Sequence, residues 1–380
     1  MRRPPRDIVA SAGGAAVFSC SLGIASVALP LLALRSGYSA VEVGVLTAIS
    51  AIAQMATRLV LGAAMRLVGD WVLVVAAAAT LCLSNGLVVA SAALVPFAVA
   101  EMLQGIARAC FWTGSQTHVV RGDSPAVGAL ATINFGSSLG LLAGPVLAGV
   151  LVEHSPRTAL AAGAAIAGIA TLPALALDRL PPFRPPPERT PGQIWRRPGV
   201  DVGCWAGVSA GAWRGLLSSY MPVMLDAACQ SAATIGVLVS VANGASVVGS
   251  VLVGRVRDRW MVRSFLLGSL ATGAAIGLVA PVAGTWWAAA ALLAVSGLGA
   301  GALQTVGPAL ATDSVHPDER AIAAAGTFRA AALFAAPLAV AGAVALIPVG
   351  VAMGLAGALI AATAALVHRS PALSGTGGPP

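Results

Sequence analysis

Glu101 and Arg108 lie two helical turns apart inside an apolar run from about Leu94 to Thr117. A run of that length is long enough to cross a bilayer. Burying either charge there costs on the order of 2.5–3.5 kcal/mol on insertion scales, so such groups face other helices or a water-filled path rather than lipid. Glu101, Gln104, Arg108, Trp112 and Ser115 recur at three- and four-residue spacing, and one helix face therefore carries all five. An acid in that setting is a candidate proton carrier, taking up and releasing a proton in each cycle. The structural alternative is an ion pair between Glu101 and an arginine of another span. Arg108 is about 10 Å from Glu101 along the helix axis, too far for direct pairing within the helix.

The other interior cations are Arg214 (beside Trp213) and Arg329, with Arg58 in a stripe of Thr47, Ser50 and Gln54 nearer a membrane face. Four cations against one interior acid favour an anionic or zwitterionic substrate over a lipophilic cation. Gln304 is in helical register with Gly297, Gly301 and Pro308, and Asn243 lies between Ser240 and Ser250. These polar groups suit either a substrate cavity or hydrogen bonds between helices. His118 and His316 fall in expected cytoplasmic loops and receive no role.

Composition identifies what must position these groups. The chain is 58% hydrophobic and 9% charged, with a mean hydropathy of +0.88. No soluble globular domain of this length has that balance; the chain is an integral membrane protein. All 22 basic residues are arginine, giving a net charge of +8. They are scattered through short loops rather than grouped in a basic domain, so membrane topology accounts for them and nucleic acid does not. Five cysteines without a CxxC pair argue against a disulfide framework or a metal site.

Apolar runs follow from Ile8 to Leu34, too long for a cleaved signal peptide, and then at Val41–Met65, Trp71–Ala93, Leu94–Thr117, Ala126–Leu151 and Thr158–Leu177. The segment around residues 179–200 is rich in Pro and Arg and reads as a linker. Six more runs follow at Val202–Leu225, Ala232–Val253, Val262–Ala283, Thr285–Ala311, Ala321–Ala345 and Leu346–Val367, before a short tail. The predicted fold is all-α, with twelve transmembrane helices in two six-helix, pseudo-symmetric halves: 8–178 and 201–368, with a 179–200 cytoplasmic linker and a 369–380 disordered tail. With the N-terminus inside, 16 arginines fall in inner segments and two, Arg35 and Arg157, in outer ones. This bias puts both termini in the cytoplasm of a multi-pass protein of the cell inner (plasma) membrane.

The halves repeat. At an offset of 192 residues, Pro30 pairs with Pro222, Pro125 with Pro317, Pro145 with Pro337 and Pro156 with Pro348, which is four of the six prolines in each half. Gly44/Gly236, Gly62/Gly254 and Gly105/Gly297 share the offset. An even number of spans per half makes the halves parallel, implying a two-fold axis along the membrane normal and a central site.

Three motifs resemble the major facilitator superfamily. Gly254-Arg255-Val256-Arg257-Asp258-Arg259 is similar to that family's G-x-x-x-D-R loop. Its repeat mate keeps Gly62 and Gly69 but has Arg66 and Leu67 at the Asp and Arg positions. Span five carries Gly140, Gly144, Pro145 and Gly149, similar to the G-x-x-x-G-P motif of the family's drug and metabolite antiporter branch. Leu103-Gln104-Gly105 resembles the end of an R-x-x-Q-G motif, with Glu101 where arginine is expected. The resemblance implies that Asp258 and Arg259 pair charges across an inner gate; the alternative is a solvated loop. It also implies that the span-five glycines belong to an exporter; the alternative is close helix packing without bearing on direction.

The expected function is secondary active transport, specifically proton-coupled efflux of a small organic molecule by alternating access. An importer or uniporter of a sugar or organic anion on the same fold is the alternative, and a transport-inactive scaffold or sensor is the reading from another class. No Gly-rich phosphate loop, metal cluster or nucleophile motif occurs in the sequence, so neither an enzyme nor a cofactor is expected. The expected partners are the substrate, protons and lipid, with the chain acting as a monomer.

Overall fold

The computed structural model describes residues 6–121, 126–182, 194–197, 199–255, 260–313 and 319–367. With no water in the bilayer core, backbone N–H and C=O groups must be satisfied within the chain, and helices achieve this locally. All regular structure among the described residues is helical. The first half holds α1 (Arg6–Arg35), α2 (Ala40–Ala64), α3 (Asp70–Ala90), α4 (Leu94–Val120), α5 (Ala126–His154), α6 (Pro156–Ile169) and α7 (Thr171–Leu175). After a short 3-10 turn at Ile194–Arg196 come α8 (Val200–Ser218), α9 (Tyr220–Ala227), α10 (Ala232–Val253), α11 (Met261–Val282), α12 (Trp286–Asp313), α13 (Glu319–Val344) and α14 (Val349–Val367).

Among the described residues, ten helical segments are long and apolar enough to cross a membrane, and Val349–Ala365 is a shorter apolar one. Every expected span coincides with a helix or a helix pair. The sixth is α6 continued by α7. The seventh, which reads as one uninterrupted run, is broken at Ser219 (φ −121°, ψ −74°) between α8 and α9. Pro222 explains the break, because its ring clashes with the carbonyl of residue 218 and its nitrogen donates nothing. Ser218 and Ser219 add to the bend by donating to the carbonyls of Arg214 and Gly215, at 3.0 and 2.7 Å.

The fourth span also differs from its sequence reading. α4 continues past Thr117 to Val120, and His118 is buried within it rather than lying in a loop. His118 interrupts the apolar run, but its ion partners, described below, let the helix continue through Val119 and Val120.

The chain forms two compact units. The first comprises Met1–Ser39, Ile49–Glu188 and Ser231–Ser240; the second comprises Ala40–Ala48, Arg189–Gln230 and Val241–Pro380. In the first, α1 packs along α5 and α6, and α3 packs on α4 and α6. In the second, α8 packs along α13 and α14, and α11 on α12 and α14. These are the same pairings displaced by one repeat.

The glycines at the repeat offset make equivalent contacts. A Cβ on Gly105 would lie 1.9 Å from the Ser50 carbonyl oxygen, and one on Gly297 would lie 2.2 Å from that of Ala242, the repeat mate of Ser50. Gly23 abuts Pro145, and Gly215 abuts Pro337. Gly236 meets Gly149 in the first unit, while Gly44 meets Ala341 in the second. The α1–α5 and α8–α13 seams obtain their closeness from opposite sides. In the first, α5 supplies Gly136, Gly140 and Gly144 against the α1 backbone; in the second, α8 supplies Gly207, Gly211 and Gly215 against α13.

A methyl group at Gly105 cannot fit without parting α2 from α4. Gly105→Ala is expected to destabilise by about 1–3 kcal/mol, the usual range for overpacking. Gly62→Ala, where nothing lies within 4 Å, should be neutral or slightly stabilising. Thermal unfolding of the purified variants, read by size-exclusion fluorescence, checks both.

Candidate functional site

Each unit carries a polar cluster of its own. In the first, α4 presents Glu101, Gln104 and Arg108, and α2 presents Ser50 and Gln54, brought close by the Gly105 contact. Glu101 is 5% exposed and Gln104 2%, while Arg108 is half-buried. Arg108 donates through Nη2 to Gln104 Oε1. Glu101 feels the Arg108 charge and faces the Ser50 hydroxyl, yet it forms no ion pair among the described residues. Gln54 Oε1 of α2 and, on α4, Gln104 Nε2 and Ser115 Oγ are buried and lack a hydrogen-bond partner. Groups of this kind are typically satisfied by ordered water or a ligand. Trp112, although in register with Glu101, packs beside the apolar core built on Phe18 and Phe111, whose rings stack 3.9 Å apart.

In the second unit four helices contribute. Arg214 of α8 donates through Nη1 to Asn243 Oδ1 of α10 at 2.5 Å. Arg329 of α13 donates through Nη2 to Gln304 Oε1 of α12 at 3.1 Å, and Gln304 Nε2 donates to Ser246 Oγ of α10 at 3.2 Å. The Arg214 guanidinium lies 5.7 Å from the ring centroid of Trp213. Trp213 itself is fully buried, and its indole N–H donates to Ser296 Oγ at 3.2 Å. The structure thus brings Arg214, Asn243, Gln304 and Arg329 into one polar ribbon, with Ser246 as a member that sequence reasoning missed. Its position one turn from Asn243 on the same α10 face was the available signal. Ser240 and Ser250 donate instead to the Leu142 and Gly301 carbonyls, as hydrogen bonds between helices.

The span-five motif is occupied by packing: Gly140 and Gly144 press on the Ala16 and Cys20 backbone, Pro145 on Gly23, and Gly149 on Ala232. Of the loop motif, Gly62, Gly69 and Gly254 are described, and the Cβ positions of Gly62 and Gly254 are uncrowded. Asp258 and Arg259 lie outside the described residues, as does His316.

A third cluster closes one end of the first unit. His118 Nε2 meets Asp7 Oδ2 of α1 at 3.1 Å, and its Nδ1 lies 3.5 Å from Asp70 Oδ1 of α3. Arg121, just past α4, donates to Asp70 Oδ2 at 3.2 Å and to the Pro181 carbonyl at 2.7 Å. Asp7 Oδ1 accepts from the Asp178 backbone N–H at 3.2 Å. This network ties three helices and the start of the linker together.

An all-helical, multi-pass membrane protein with two repeated units and interior polar clusters belongs to the class of membrane transporters. The family model "Major Facilitator Superfamily" matches residues 12–337, and the chain belongs to that family, making it a transporter rather than an enzyme. No curated protein matches the sequence. Solved structures with the same fold include the nucleoside transporter NupG (D323A mutant), at 10% identity and TM-score 0.77, covering 95% of this chain and 98% of that one. A POT family transporter in complex with 5-aminolevulinic acid is similar at 10% identity and TM-score 0.77, with 96% of each chain covered. A bacterial homolog to the human lysosomal transporter Spinster, in an inward-facing and unoccupied conformation, is similar at 14% identity and TM-score 0.69, covering 97% and 93%. At these identities the likeness is one of fold.

The buried Asp70 carboxylate anchors Arg121, the Trp71 backbone N–H and the flank of His118. Asp70→Asn should cost about 1.5–3 kcal/mol, the range for hydrogen bonds to charged groups. A double variant with Arg121→Gln should cost less than the sum of the two, because both remove the same pair. Unfolding midpoints of the three variants measure this.

Proposed function

We propose that this protein is a proton-coupled exporter of a small organic molecule, working by alternating access as a monomer of the plasma membrane with both termini in the cytoplasm. The observation that carries the proton role is Glu101: a carboxylate two turns into a spanning helix, buried, outside any ion pair among the described residues, and on the same helix face as Gln104, whose buried Nε2 has no hydrogen-bond partner. A structural acid in apolar surroundings is ordinarily neutralised by a cation at contact distance. Glu101 has Arg108 within electrostatic reach but not at contact. Its charge can therefore change without dismantling a salt bridge, as repeated proton uptake and release requires. Water held at Gln54 Oε1 and Gln104 Nε2 would supply the proton and accept it back.

The export direction draws its support from the span-five resemblance to the antiporter branch. The cytoplasmic placement of the termini draws its support from the arginine bias.

Reconstituted into liposomes with a pH-sensitive dye inside, the wild-type protein is expected to move protons when substrate is added. Glu101→Gln should lose that flux by about tenfold or more, the scale expected when an essential proton carrier is removed, while still exchanging substrate across the membrane. Normal coupling in the variant would refute the carrier role. Substrate accumulation in the same direction as protons would make the protein a symporter. The orientation has its own check: Cys229, exposed just past α9, should react with a membrane-impermeant maleimide applied outside intact cells. Labelling only after the cells are opened would reverse the topology.

A further inference from the structure

The network around His118 holds a chemical conflict that a proton resolves. His118 Nε2 is 3.1 Å from Asp7 Oδ2 of α1, and its Nδ1 is 3.5 Å from Asp70 Oδ1 of α3. A neutral imidazole has one N–H and one lone pair. With the proton on Nε2, the Nδ1 lone pair faces the Asp70 carboxylate. With the proton on Nδ1, the Nε2 lone pair faces the Asp7 carboxylate. The imidazolium alone offers an N–H to each acid. Charge gives the same answer. Asp7 and Asp70 carry two negative charges, Arg121 supplies one positive charge 3.2 Å from Asp70 Oδ2, and a protonated His118 supplies the second.

The other charged groups at this end leave that count in place. Arg6 and Arg66 are exposed, Asp178 meets Asp7 through its backbone N–H, and Arg179 lies over the Trp71 ring. α5 has no acidic residue in its first turn, and Asp123 lies outside the described residues. The proton also has a route: the His118 side chain is 1% exposed but that of Asp7 is 24% exposed, so exchange with water passes through Asp7. Histidine is the side chain whose charge changes near neutral pH, and its surroundings set where.

The imidazole joins more than two side chains. His118 lies in the last turn of α4, Asp7 in the first turn of α1 and Asp70 at the head of α3. Asp7 Oδ1 also accepts from the Asp178 N–H, while Arg121, held by Asp70, donates to the Pro181 carbonyl. The start of the linker therefore hangs on the same two acids.

We infer that His118 is the pin of a proton-operated clasp on the first unit. With His118 protonated, the ends of α1, α3 and α4 and linker residues 178–181 are held together. Loss of the proton sets a lone pair against a carboxylate, the clasp loosens, and the start of the linker is released. The hold is complete at low pH and fades as pH rises. The clasp answers to proton concentration on the membrane face that bears the linker, whatever substrate is moved and in whichever direction.

The purified full-length protein in detergent is followed from about pH 5 to 8, the range over which histidine changes charge. Two readouts are taken: the unfolding midpoint, and trypsin cleavage between Arg179 and Leu180, identified by mass spectrometry. In the wild type the midpoint is expected to fall and cleavage to speed up as pH rises, cleavage by at most about tenfold per pH unit for a single proton. His118→Gln keeps a neutral hydrogen-bonding side chain. Its difference from wild type at each pH cancels the protease's own profile and the titration of His154, His316 and His368. That difference should be largest at low pH and shrink as pH rises. Asp7→Asn makes the opposite case. The asparagine amide donates to Nε2 while the Nδ1–H faces Asp70, so a neutral imidazole is satisfied, and the asparagine oxygen still accepts from the Asp178 N–H. Cleavage after Arg179 in this variant should stay slow at about pH 8. A wild-type to His118→Gln difference that is the same at every pH, or an Asp7→Asn variant that keeps the wild-type pH dependence, would overturn the proposal. Should His118→Gln fail to fold, Asp7→Asn against wild type decides alone.

Discussion

Close approach of helix backbones is the constraint on which this protein depends. Lipid tails are as apolar as leucine, so the hydrophobic effect does little to hold one spanning helix against another, and association rests on contact. Here that contact is repeatedly a glycine α-carbon set against a carbonyl oxygen of the neighbour, as at Gly105 on Ser50, Gly140 on Ala16, Gly211 on Arg329 and Gly297 on Ala242. In so close an approach, weak Cα–H···O attraction and dense packing act together. The polar clusters follow from the same contacts. Gly105 brings Ser50 of α2 beside Glu101, and Gly211 sets the α13 backbone against the helix that bears Arg214.

On this repeated scaffold the chemistry is not repeated. The mate of Glu101 is Leu293, fully buried, and that of Arg108 is Ala300. The mates of Arg214 and Arg329 are Leu22 and Ser137, the latter bonded to Ser19 at 2.9 Å. Packing positions are kept across the repeat while ionisable ones diverge, so one unit bears the acid and the other the paired cations.

Much of this was legible in the sequence, for physical reasons. Spans are visible because insertion demands some twenty apolar residues, and the repeat because proline and glycine are the residues whose replacement costs most. Glu101, Arg214 and Arg329 stood out because charge in an apolar run is expensive. The break at Ser219 was less visible, since Pro222 also occurs in a run of ordinary apolar residues, and prolines are tolerated inside α1, α5, α11, α12 and α13. His118 was misplaced because its burial depends on Asp7 and Asp70, which are 111 residues before it and at the head of a different helix. Periodicity along one helix cannot reveal partners of that kind. Nor could it show that Gly140 and Gly144 of span five are taken up by α1 and Gly149 by α10, since a small-residue face does not name its neighbour.

The network around Asp70 bears on the chain that joins the halves. Asp178 is held by Asp7, Arg179 stacks 5.3 Å from the centroid of Trp71, the Leu180 carbonyl oxygen lies against Gly69, and Pro181 is gripped by Arg121. Four consecutive residues of what composition marks as tether are thus laid down on the first unit. The tether has a fixed origin beside α3. Any movement of that corner of α3 is delivered directly to the base of the cord, as a tug on an anchored rope rather than on a loose one.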